Sequence, residues 1–237
     1  LPGQREVVRE AIAAGQEIVV FHAANGLAAA EAGSEGMCGH GGNITAMTLL
    51  VAGLVLVLGA HSGRIFADPW RTSMIARIGR NPWRGIYALV SLAGFALIVW
   101  GYGQARGNPV VVWSPPAWTR HAASLLVLPA FVLIAAGNIP GTRIRAALGH
   151  PMLLGTKLWA FAHLLSNGML ADVVLFGAFL AWAIVDYASA RRRDRAAGTV
   201  YPPGNSSRDA TALAIGTVAW FVFGFWLHGP LIGVRPM

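Results

Sequence analysis

Apolar residues run through most of the chain in long segments, and short polar stretches separate them. About 20 consecutive apolar residues are needed for an α-helix to cross the hydrocarbon layer of a bilayer. The segments that reach about this length are 44–61, 85–103, 118–137, 151–168, 170–188 and 210–228. The pattern therefore predicts an all-α, polytopic transmembrane bundle of about six spans.

Two local features shape the predicted spans. Pro129 lies inside the third span and predicts a kink that neighbouring helices must stabilise. Only a minimal turn at 166–168 separates the fourth and fifth spans, so these two are expected to form an antiparallel helical hairpin. The connection 104–117 is rich in Pro and Trp and is expected to lie along the membrane interface.

Residues 1–46 differ from the rest of the chain. Acidic and basic residues alternate there with Ala and Gly, and no plausible core is present. Residues 4–21 are compatible with an amphipathic helix, and the glycine-rich stretch 33–43 indicates a flexible linker. We interpret 1–46 as a poorly ordered or non-native extension and 47–237 as the membrane domain.

Composition supports the membrane interpretation and argues against nucleic acid as a partner. Hydrophobic residues make up 55% of the 237 residues and charged residues only 12%, and the mean hydropathy is +0.55. The net charge is +8, but the basic residues occur in short runs between spans, whereas a nucleic-acid interface requires one continuous basic surface. The lipid bilayer is the partner that this composition predicts.

The distribution of lysine and arginine predicts the orientation. The connections after the first, third and fifth spans carry twelve of these residues, and the remaining connections and the tail carry three. Cytoplasmic loops are enriched in Lys and Arg. We therefore expect a bacterial inner-membrane protein with both termini in the periplasm.

A histidine lies near the middle of the fourth span. From Met152 to His163 the helix rises roughly 16 Å, about half the thickness of the hydrocarbon layer. The helix face that carries His163 is small or polar except for one tryptophan, and it consists of Gly155, Thr156, Trp159, Ala160, Ser166 and Asn167. Two interpretations stay open: a neutral imidazole that joins two helices by a hydrogen bond, or a functional ligand.

Other histidines extend the second interpretation. His61, at the end of the first span, is expected to lie within a helix turn or two of His163 in depth, so the two rings could approach one haem iron from opposite faces. Arg64 could then pair with a haem propionate. His228 is a second candidate, and His121 and His150 are expected at the interface. The chain has a single cysteine and no CxxCH motif, so any haem would be held non-covalently.

Five short motifs resemble the NnrU family of bacterial membrane proteins. They are HSGR at 61–64, GRNPWRGIY at 79–87, WSPP at 113–116, HP at 150–151 and WAFAHLLSNG at 159–168. The resemblance covers about 47–195. It implies a link to nitric oxide and nitrite metabolism in denitrifying bacteria. A relative in photosynthetic organisms, 15-cis-zeta-carotene isomerase, is a haem b enzyme, which implies His61 and His163 as axial ligands and His150 as a further shared position.

Three functions remain open from the sequence. The first is a haem b-binding protein of nitrogen-oxide metabolism, served by an electron donor. The second is a haem-dependent carotenoid cis-trans isomerase with a polyene substrate. The third is a small-molecule transporter, although the inverted repeats typical of many transporters are not evident.

Overall fold

The computed structural model of the protein describes residues 39–234, and within this range it contains helices and no β-strand. The N-terminal extension up to residue 38, with Cys38, lies outside the described residues. The helices are α1 (Gly39–Phe66), α2 (Asp68–Ile78), α3 (Arg80–Gly107), α4 (Trp118–Asn138), α5 (Arg143–Leu148), α6 (Pro151–Ser166), α7 (Leu170–Ala196), α8 (Ser206–Val222), a π-helical segment (Phe223–Leu227) and α9 (His228–Ile232).

Five of the described helical stretches are long and apolar enough to cross a membrane. They are Asn43–Phe66, Arg80–Gly107, Trp118–Asn138, Leu170–Ala196 and Ser206–Pro230. The remaining predicted span, the fourth, corresponds to α6, whose 16 residues rise about 24 Å and pack against α4 and α7. The all-α fold of about six spans is therefore confirmed.

The connections alternate between two ends of the bundle, as the charge distribution predicts. At one end the Arg193 guanidinium donates to the Arg64 carbonyl (3.3 Å), and a backbone bridge joins Thr142 to Asn205. We call this the basic end, because the connections after α1, α4 and α7 meet there. At the opposite end a bridge joins Val111 to Met169, so the connection 108–117 packs on the turn between α6 and α7.

Glycines allow the spans to pack with their backbones in contact. A Cβ on Gly53 of α1 would lie 2.6 Å from the Gly94 carbonyl oxygen of α3, and a Cβ on Gly155 of α6 would lie 2.7 Å from the Ala130 carbonyl oxygen of α4. Lipid tails give little hydrophobic drive for association, so small residues and close van der Waals contact hold such helices together. The Ala130 contact lies next to Pro129, which lies inside α4 and donates no backbone hydrogen bond to the helix ladder.

Two elements differ from the sequence expectation. The stretch after the first span, expected as a loop, contains α2, which starts with Pro69 in its first turn, a position where proline costs no hydrogen bond. The last span does not end as an α-helix at His228 but passes through the π-helical turn Phe223–Leu227. Such turns are rare and frequently occur at functional sites.

Candidate functional site

The two membrane histidines share one hydrogen-bonding arrangement. Nδ1 of His61 lies 2.8 Å from the Val57 carbonyl oxygen, and Nδ1 of His163 lies 2.8 Å from the Trp159 carbonyl oxygen. A carbonyl oxygen can only accept, so each Nδ1 carries a proton, and Nε2 presents a lone pair whenever the ring is neutral. No described residue donates a hydrogen bond to either Nε2. This is the arrangement in which a helix holds an imidazole as a metal ligand.

His163 lies in an aromatic environment between α6 and α7. Its ring centroid is 4.5 Å from that of Phe176 and 5.0 Å from that of Trp159. Trp159 in turn packs edge-on against Phe179. These rings enclose the imidazole with apolar surface suited to a flat hydrophobic group.

His61 has a more polar environment towards the basic end. Its ring lies 5.0 Å from Tyr87 of α3 and 6.0 Å from Trp182 of α7. The Trp182 indole N–H and the Ser91 hydroxyl are buried without a hydrogen-bond partner in the described part of the chain. Ser91 lies one turn from Tyr87 on α3. Buried donors of this kind favour a site that holds an acceptor atom.

The two histidines contact α7 at different points along its axis. His163 contacts Phe176 and His61 contacts Trp182, so their contact points are six residues, or about 9 Å, apart along the helix axis. The two contact points on α7 thus lie between one and two helix turns apart.

The residues present fit a haem in three respects. Two imidazoles carry Nε2 atoms that meet no described donor, aromatic side chains pack against His163, and the buried Trp182 N–H near His61 has no described partner. Arg64 lies at the basic end, where it interacts electrostatically with Asp186. Its side chain is exposed. Among the described residues no group of three or more His, Cys, Asp or Glu side chains could hold a bare metal ion.

The secondary candidate site residues differ in whether another residue already binds their polar atoms. The Asn167 side chain donates to the His163 carbonyl (2.9 Å) and so caps the end of α6. His150 is held through Nε2 by the Asp194 carboxylate (2.9 Å). His228 directs Nδ1 at the Val234 carbonyl (2.6 Å) and interacts electrostatically with His163. The His228 Nε2 therefore meets no described donor, whereas Asn167 and the His150 Nε2 are engaged in structural contacts.

The His150 contact belongs to a polar network at the basic end. The Tyr201 hydroxyl donates to Asp194 (2.8 Å), and Arg191 pairs with the same carboxylate at 3.4 Å. Burial and the hydrogen bond to Asp194 raise the pKa of Tyr201. A raised pKa stabilises the neutral phenol, so this contribution is fully present below about pH 10 and is lost as the pH rises through the raised value. The network ties α6, α7 and the following loop together at physiological pH.

Sequence reasoning missed a second polar contact inside the bundle. The Tyr102 hydroxyl of α3 donates to Asp172 of α7 (2.5 Å), and the other carboxylate oxygen accepts from the Met169 backbone N–H (3.2 Å). Asp172 is only 4% exposed. An acidic residue inside an apolar span is itself a signal, because such residues are costly in a membrane and need a partner. The partner could not be identified without the helix packing.

Together the helices define a class: a polytopic α-helical membrane protein. The sequence model of the NnrU protein family matches residues 49–236, nearly the whole membrane domain. The chain belongs to the NnrU family, as its motifs predict, and the match also includes the last span. No curated protein and no solved structure matches the chain.

Proposed function

We propose that this NnrU family member is an inner-membrane protein that binds haem b through His61 and His163. One observation carries the proposal: both rings donate Nδ1–H to a backbone carbonyl of their own helix and leave Nε2 free inside the bundle. If these histidines served only to join helices, Nε2 would be expected to meet a donor on a neighbouring helix. In the described residues it meets none.

The surrounding side chains have distinct tasks in this proposal. Trp159 and Phe176 supply the apolar walls on the His163 side. The Trp182 N–H and the Tyr87 ring supply the polar side near His61. A bound haem would supply redox chemistry or the binding of small ligands at iron. The resemblance described above connects this chemistry to nitric oxide and nitrite metabolism.

An absorption spectrum of the full chain, expressed with sufficient haem and purified in detergent, tests the proposal. A Soret band is expected. If no Soret band is found, the haem proposal is wrong and the histidines are structural. Extraction of the same sample separates the proposed role from a carotenoid isomerase, since only the isomerase requires a bound polyene.

Single variants test the ligand assignment. His163→Ala is expected to abolish or blue-shift the low-spin spectrum, and His61→Ala to do the same or to leave five-coordinate, high-spin iron. His121→Ala is the matched control, because His121 is exposed at the start of α4. A His61→Ala, His163→Ala double variant with a wild-type spectrum would contradict the assignment. His228 would then be the next ligand to test, because only its Nδ1 is engaged, by the Val234 carbonyl.

A further inference from the structure

A cleft at the basic end, distinct from the histidine site, is lined by one face of α7. It has a volume of about 400 Å³, and Tyr187, Ala188, Arg191, Arg192 and Arg195 line it. Spacings of three and four residues place these side chains on the same side of the helix. The cleft therefore combines one aromatic ring with three guanidinium groups.

Positive charge in this cleft is largely uncompensated. Arg191 pairs with Asp194 at 3.4 Å, but the same carboxylate also bonds to His150 and Tyr201. Arg192 and Arg195 form no ion pair or side-chain hydrogen bond with any described residue. Lys157 adds a further cation, with its ammonium nitrogen 3.9 Å from the centroid of the Tyr187 ring. One carboxylate thus faces three guanidinium groups and a nearby ammonium.

Arg191 is held in place from two directions. Besides the Asp194 contact, its guanidinium lies over the turn before α6, where a Cβ on Gly149 would be 2.7 Å from it. Gly149 has a φ of +73°, which a residue without a side chain adopts at little cost. A positioned guanidinium loses less freedom when it binds a ligand, so Arg191 is preorganised for an anion.

The length of α7 places the cleft at the level of lipid headgroups. Its 27 residues rise about 40 Å, which exceeds the hydrocarbon layer by about 10 Å. The apolar part of the helix starts at Leu170, so the excess falls on the arginine-rich end. Guanidinium groups bind phosphate oxygens in pairs. We infer that this cleft binds a phosphate-class oxyanion, which either a lipid headgroup or free phosphate can supply.

The test uses the purified full chain in a phosphate-free, non-ionic detergent and has two arms. In the first arm, inorganic phosphate is titrated, and the thermal unfolding midpoint is compared with that in chloride at equal ionic strength. In the second arm, phosphatidylglycerol is added, and retained lipid is counted by native mass spectrometry. Saturable binding in at least one arm is expected. Binding of lipid alone identifies a headgroup site, and binding of phosphate alone identifies a site for the free ion.

Substitutions test whether binding depends on this cleft or only on the overall positive charge of the protein. Arg192→Gln with Arg195→Gln is expected to weaken binding about tenfold or more, because charge-assisted hydrogen bonds are lost. Arg80→Gln with Arg84→Gln is the control, since it removes the same charge from exposed positions of α3. Ala188→Glu, which places a carboxylate in the cleft and keeps every arginine, should also weaken binding. Equal losses in both double variants, or no saturable binding in either arm, would overturn the inference.

Discussion

At the residue scale, hydrogen bonds decide what each polar side chain inside the bundle can do. His61 and His163 each use one nitrogen within their own helix, and His150 uses Nε2 for Asp194. The Nε2 atoms of His61 and His163 thus meet no described donor, whereas the Nε2 of His150 is engaged. The Asp172 carboxylate, by contrast, is fully engaged, because Tyr102 and the Met169 backbone donate to its two oxygens.

Tyr102→Phe should destabilise the protein, because it leaves the buried Asp172 carboxylate short of one donor. An unmet hydrogen bond of a buried group costs about 1–3 kcal/mol. The thermal unfolding midpoint in detergent is expected to fall. Tyr187→Phe is the control, since that hydroxyl makes only a long contact of 3.4 Å with the Leu148 carbonyl. Equal midpoints for the two variants would show that the Tyr102–Asp172 contact contributes no stability.

At the scale of elements, the close approach of the α1 and α3 backbones positions His61 and Tyr87. α1 and α3 meet at glycines, and Gly101 lies directly against the backbone of Leu50. This contact sets the separation of the two helices that carry His61 and Tyr87. A larger residue at the contact would move both side chains relative to α7.

Gly101→Ala should therefore lower stability by roughly 1–3 kcal/mol, because a methyl group there overpacks two backbones. Gly103→Ala, two residues away on the same helix, is the matched control: its Cβ would meet nothing within 4 Å. Alanine improves helix propensity by up to about 1 kcal/mol at either position, so Gly103→Ala is expected to be neutral or stabilising. Thermal unfolding of both variants measures the difference. Equal effects would contradict close packing of α1 on α3.

At the scale of the whole molecule, the arginine-rich connections meet at one end and the poorly charged ones at the other. The bond between Arg193 and Arg64 and the bridge between Val111 and Met169 fix these two ends. The enrichment of Lys and Arg in cytoplasmic loops therefore predicts that the basic end faces the cytoplasm.

A reporter enzyme that is active only outside the cytoplasm tests this orientation. Fusions after Pro109 or at Met237 are expected to be active, because both points follow an even number of spans in a chain that starts outside. A fusion after Arg195 is expected to be inactive, since this residue lies at the basic end. An active fusion at Arg195 would contradict the proposed orientation with both termini in the periplasm.

The sequence by itself determined the approximate number of spans, the alternation of their connections, the family and which histidines are candidate ligands. These features are local, because a bilayer requires about 20 apolar residues for each crossing, and the charge of a loop follows directly from the residues in it. The hairpin of the fourth and fifth spans was equally evident, because the short turn at 166–168 acts on its immediate neighbours.

Only the tertiary structure decided which side chains meet. Membrane helices are apolar on almost every side, so periodicity gives little information on the face that contacts a neighbour. Tyr102 and Asp172 are 70 residues apart, and His150 and Asp194 are 44 apart. Such pairs depend on the rotation and depth of two helices at once. These quantities follow from packing at glycine contacts along the whole bundle, which no single segment of the sequence encodes.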